Sequence, residues 1–109
     1  MSIDSNDDAV FKAMANGLRR QILDALKEAP RTTGALCEQF SDLDRCTVMQ
    51  HLKVLEEANL VLVRRDGRER WNHLNALPIR AIHRWISQYS DHAMSVLTAL
   101  QQQLDGEKE

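Results

Sequence analysis

Apolar residues recur three and four positions apart over most of this chain, and the breaks in that rhythm mark its elements. From Asp7 to Ala15, Val10, Phe11 and Met14 keep helical spacing, with Asn6 or Asp7 available to cap the first amides. Asn16-Gly17 interrupts the pattern, and Leu18, Ile22, Ala25 and Leu26 restart it until Pro30, which predicts a second helix over about Leu18 to Glu28. Thr32 or Thr33 can cap a third helix with Leu36 and Phe40 on one face. Ser41 to Asp44 reads as a polar turn ending in a good N-cap residue, and a fourth helix runs from Arg45 to about Ala58, buried along Val48, Leu52 and Leu55. Its opposite face carries Cys46, Gln50 and Lys53, with Met49 to one side.

Beyond Asn59 the pattern becomes extended. Leu60-Val61-Leu62-Val63 reads as a strand, and Asp66-Gly67 is a strong two-residue hairpin signal. That turn sets Arg65 opposite Arg68 and Leu62 opposite Trp71, with Val61, Val63, Arg65, Arg68, Arg70 and Asn72 on one face of the ribbon. Two arginines across from each other are destabilising unless an anion lies between them, and a DNA phosphate would supply one. Basic residues also blunt exposed strand edges, so the arginines alone do not separate the two roles.

Pro78 is well placed to open a long last helix in which Ile79, Ile82, Trp85, Ile86, Tyr89, Ala93, Val96, Leu97, Leu100 and Leu104 fall on an arc about 120° wide. So long a stripe exceeds what a small helical core covers. It is expected to be shared with a second copy, through Val10 and Phe11 of the first helix and Ile82, Ile86, Tyr89, Ala93, Val96, Leu97 and Leu100 of the last. The expected fold is therefore mainly α with a β-hairpin wing, an α+β winged helix-turn-helix that forms a homodimer. All 109 residues form one domain: helix-turn-helix at about 32–59, wing at 60–74, dimerisation helix at 78–104.

Charge qualifies this picture. Fourteen Lys and Arg against sixteen Asp and Glu give a net charge of −2, so no global basic excess attracts nucleic acid. The distribution matters more, because fields act within about 8 Å at physiological salt, and Arg64, Arg65, Arg68 and Arg70 crowd the wing against Asp66 and Glu69. Cys37 and Cys46 fit neither a disulfide framework nor a C-x-x-C redox site, which predicts a reducing compartment. No apolar leader or run near 18 residues occurs, so a soluble, cytoplasmic protein without a membrane partner is expected.

The run Arg45-Cys46-Thr47-Val48-Met49-Gln50-His51-Leu52-Lys53-Val54-Leu55, leading into an apolar strand, resembles the recognition helix of the ArsR/SmtB family of winged-helix repressors, whose hallmark is Thr-Val-x-x-His-Leu-Lys-x-Leu. Phe11 to Leu23 is similar to that family's first two helices, with Asn16-Gly17 where Asp-Pro is commoner. The resemblance covers about residues 8–75 and implies a homodimeric, DNA-binding regulator, usually a repressor released by an effector. Many members sense metals, but Cys37 lacks a second cysteine two residues away, and His83, Asp91 and His92 do not match the last-helix motif. His83 and His92, nine residues apart, point about 180° apart on one helix, so no metal site and no cofactor are expected.

Double-stranded DNA is the expected partner. Arg45, Cys46, Met49 and Gln50 would approach base edges, while Thr47, His51, Lys53, Arg65, Arg68 and Arg70 would meet the backbone. Asp44 opposes this by bringing a negative charge close to the groove. Two alternatives stand beside it: a thiol-responsive regulator using Cys37 and Cys46, the latter beside Arg45 at a helix start, and a winged helix that binds protein instead of DNA. No phosphate loop, nucleophile elbow or H-E-x-x-H motif supports an enzyme.

Overall fold

The structure is a computed structural model and describes residues 5–107. In chain order the elements are α1 (Ser5–Met14), α2 (Gly17–Glu28), β1 (Arg31–Thr32), α3 (Thr33–Gln39), α4 (Arg45–Glu57), β2 (Val61–Asp66), β3 (Glu69–Leu74) and α5 (Leu77–Glu107). The strands form an antiparallel sheet in the order β1-β3-β2.

Short polar side chains start the helices. Asn16 ends the first helical segment and caps α2, its Oδ1 accepting from the amides of Leu18 (2.9 Å) and Arg19 (3.0 Å). Thr32 Oγ1 accepts from Ala35 N at 3.1 Å to cap α3, and Asp44 Oδ1 accepts from Thr47 N at 2.8 Å to cap α4. The C-terminus of α4 closes differently. Asn59 adopts φ 63°, a left-handed conformation that asparagine tolerates better than most residues, and this bends the chain back. Leu60 N then donates to Leu55 O (2.9 Å) and Asn59 N to Glu56 O (3.0 Å), the paired bonds of a Schellman end.

One apolar cluster lies beneath these helices. Val10 and Ala13 of α1, Ile22 and Leu26 of α2, Leu36 of α3, Val48, Leu52 and Leu55 of α4, Leu60, Val61 and Ile82 are all buried together. Asn72 enters this interior from β3, its Nδ2 donating to Arg31 O (3.2 Å) and Thr33 Oγ1 (3.1 Å). Three asparagines fasten the opposite end: Asn59 Nδ2 donates to Asn6 Oδ1, and Asn75 Nδ2 to Asn59 O, both at 2.9 Å.

Several expectations change. The first helix already includes Asn6 and Asp7, so neither caps it, and Asn6 bonds to Asn59 instead. Strand β1 was not foreseeable from periodicity, since two residues carry none; its pairing of Arg31 with Asn72 and Thr32 with Trp71 defines it. The last helix begins at Leu77, whose amide donates to Asn75 Oδ1, so Pro78 lies second, still within the turn where a missing N–H costs nothing. Val10 and Ile82, expected on a surface shared with a second copy, are 0% and 3% exposed within the chain's own core.

The hairpin register differs by two residues. Asp66 pairs with Glu69, Arg65 with Arg70, Arg64 with Trp71 and Leu62 with His73, which leaves Gly67-Arg68 as the loop. An Asp66-Gly67 loop of type I′ needs positive φ at both positions, whereas placing Gly67 first, at φ 62°, confines the left-handed conformation to the glycine. An even shift preserves the faces, so Val61, Val63, Arg65, Arg70 and Asn72 still share one. A Cβ on Gly67 would meet nothing within 4 Å, so only its backbone opposes substitution. Gly67→Ala should therefore destabilise the chain by about 1–2 kcal/mol, read as a lower midpoint in urea denaturation with an unchanged slope.

Candidate nucleic-acid interface

Helix α4 is amphipathic in the sense the site requires. Val48, Leu52 and Leu55 are 0%, 5% and 0% exposed, and anchoring them turns Arg45, Cys46, Met49, Gln50 and Lys53 to solvent. Arg45 and Cys46 occupy the first two helical positions, beside the Asp44 cap. The Thr47 backbone N–H, followed by the Thr47 side chain, holds the Asp44 carboxyl below the usual carboxylate range. Thr47 and His51 are only half-exposed. The structure brings His51 to Arg19 of α2, with Nδ1 3.3 Å from Nη1. Burial, and then the Arg19 charge, hold the imidazole below its ordinary value.

The wing stands beside this helix. Arg64, Arg65 and Arg68 are exposed, but Arg70 is half-buried and donates through Nη2 to Glu56 Oε2 of α4. This is the anion that the crossed arginines need: Arg65 faces Arg70, and Arg70 turns to a carboxylate of its own chain. Both members are more than a third exposed, so the pair is worth at most about 1 kcal/mol and matters chiefly for holding wing to helix. Between them lies a groove of about 460 Å³, lined by Thr33, Met49, Gln50, Leu52, Lys53, Glu56 and Arg70. Neither Glu56 nor Arg19 was singled out by sequence reasoning. Glu56 carried one weak signal, its place one turn after Lys53, but only the strand register brings Arg70 to it.

A second exposed surface lies on α5. Phe11 stacks edge-on against Trp85 (5.7 Å between centroids), and Trp85 against Tyr89 (4.8 Å), joining α1 to α5. Beyond Trp85 the stripe is uncovered: Ile86, Tyr89, Val96, Leu97 and Leu100 are 42–58% exposed, and Ala93 is exposed too. Cys37 is half-buried against the core and Cys46 is exposed, both as free thiols. Among the described residues no group of three or more His, Cys, Asp or Glu could hold a metal ion, and no helix is long and apolar enough to cross a membrane.

Three short helices ending in a solvent-facing one, followed by a basic hairpin, define a winged helix-turn-helix module. A helix-turn-helix domain family matches residues 14–64, from the end of α1 into the wing. The chain is 33% identical to the HTH-type transcriptional regulator Rv2034 of Mycobacterium tuberculosis, over 98% of this chain and 96% of that one. It is 30% identical to the transcriptional repressor SdpR of Bacillus subtilis, over 73% of this chain and 88% of that one. An ArsR-like transcriptional regulator from Rhodococcus sp. RHA1 shares the fold, with a TM-score of 0.74 at 22% identity over 94% of this chain and 93% of that one. The chain belongs to the helix-turn-helix transcriptional regulators, and its function is to bind DNA without catalysis.

The Asp44 carboxylate contributes to stability above the ordinary carboxylate value, and because its folded value is lowered, that contribution is lost as pH falls through it. Asparagine caps as well as aspartate. Asp44→Asn should thus leave the thermal midpoint at pH 7 nearly unchanged and remove the acid-side loss, while Asp44→Ala lowers the midpoint at both pH values, as calorimetry at pH 7 and pH 3 would register.

Proposed function

We propose that this chain is a dimeric repressor of the ArsR/SmtB type that binds a roughly palindromic duplex site and lacks that family's metal-site motifs. The main support is one juxtaposition: the exposed row Arg45, Cys46, Met49, Gln50 and Lys53 on α4 beside a wing whose Arg65 and Arg68 project into solvent. The matching motif from Thr47 to Leu55 and the name of SdpR as a repressor point the same way. Arg45 can pair bidentately with guanine and Gln50 with adenine, each worth about 1–3 kcal/mol of discrimination, and Met49 suits a thymine methyl. Thr47, Lys53, Arg65 and Arg68 suit phosphates, which fix the register without reading sequence. The net charge of −2 is no obstacle, because Arg64, Arg65 and Arg68 gather at one tip.

The uncovered stripe on α5 supports dimerisation. Tyr89, Val96, Leu97 and Leu100 are about half exposed on a helix too long for its own core, and a second copy offers a matching surface. Two α4 helices set about 34 Å apart would enter successive turns of one duplex face, at a cytoplasmic operator.

Selection of bound sequences from randomised duplexes should recover a near-palindrome with half-sites one turn apart; recovery of unrelated sequences counts against the reading. On that site Gln50→Ala should relax preference at one base per half-site. Arg68→Ala should weaken binding alike on cognate and scrambled duplexes and reduce the salt slope by about 0.9 for each phosphate it leaves unneutralised, measured by fluorescence anisotropy at several salt concentrations. Leu97→Asp should convert the dimer to a folded monomer in sedimentation and abolish tight operator binding.

A further inference from the structure

The end of α1, the start of α2 and the middle of α4 meet at one side chain. Arg19 donates through Nε to Ala13 O (2.7 Å) and through Nη2 to Lys12 O (3.1 Å), two of the last carbonyls of α1. Its remaining nitrogen, Nη1, lies 3.3 Å from Nδ1 of His51, thirty-two residues further on. A guanidinium has donors only, so Nδ1 must accept, and the ring proton belongs on Nε2. The arrangement therefore requires a neutral imidazole. A second proton would remove the acceptor and set two cations face to face.

Two influences act on this ring. One is desolvation, and the other is the charge of Arg19 from α2, itself held by the Lys12 and Ala13 carbonyls at the end of α1. Desolvation acts in the same direction as Arg19, towards the neutral ring.

We propose that Arg19 is a positioning residue that locks the DNA-reading helix to the end of α1 through the unprotonated ring of His51, and that proton uptake by this ring loosens α4 and weakens DNA binding. This rests on α4 being the reading helix. It gives His51 a role opposite in sign to a phosphate contact, which protonation would strengthen.

The test is anisotropy titration of wild type, His51→Asn and Arg19→Gln against the selected duplex, from pH 8 to pH 5.5 at fixed ionic strength, with NMR of the His51 ring protons alongside. Asparagine places a carbonyl oxygen close to the position of Nδ1 and cannot titrate. Between pH 8 and pH 5.5 wild type is expected to lose affinity by roughly five- to tenfold more than His51→Asn does, each compared with its own value at pH 8. Arg19→Gln should move the His51 titration to higher pH. Wild-type binding that tightens relative to His51→Asn on acidification identifies a phosphate contact and overturns the proposal, as do identical profiles. If Arg19→Gln does not fold, the comparison with His51→Asn still decides. Failure of wild type to bind any duplex at any pH overturns the functional reading itself.

Discussion

The anchoring of Val48, Leu52 and Leu55 under one face of α4 governs the rest of the molecule, because a helix held by a single apolar stripe has no freedom over what its other face presents. With those side chains buried among Leu36, Ile22 and Val10, the polar positions project outward as a consequence of helical geometry. Three further supports act on the same helix: the Asp44 cap at its start, the Schellman closure at Asn59, and the Arg70–Glu56 bridge on its side. The exposed face of α4 gains precision from such redundancy, since a small tilt at one end would displace every side chain along it.

Charge placement on the wing resolves a tension within the chain. Four arginines on a short ribbon repel one another, and the fold relieves this unevenly. Arg70 is neutralised internally and becomes part of the scaffold, while Arg64, Arg65 and Arg68 remain exposed. The wing is thus both tethered and basic, and the two properties belong to different arginines.

Much of this was legible in the residues themselves. Helical periodicity located α2, α3 and α4 within a residue or two, because each has a short polar cap and a regular apolar stripe. The exposed face of α4 was readable for the same reason. What escaped depended on pairings distant in the chain. The two-residue strand β1 exists only through β3, the hairpin register turned on which loop position Gly67 takes, and the assignment of Val10 and Ile82 to an outer surface failed because a stripe on a helical wheel does not say which of its residues the chain's own core covers. Among the site residues, the partners of His51 and Arg70 were invisible for a related cause. Each lies on an element whose packing angle, not its sequence neighbours, selects what it meets.

The asparagine junction at the end of α4 has a mechanical consequence. Asn59 grips α1 through Asn6 and holds the start of α5 through Asn75, so the two helices that would carry a subunit interface are pinned to the pivot of the third. A rotation between paired copies would be delivered to that pivot as torque, with α4 as the lever arm about 20 Å long. In the proposed dimer, any change in how two copies meet would be felt first at the Asn59 end of α4, the end away from Arg45 and Cys46.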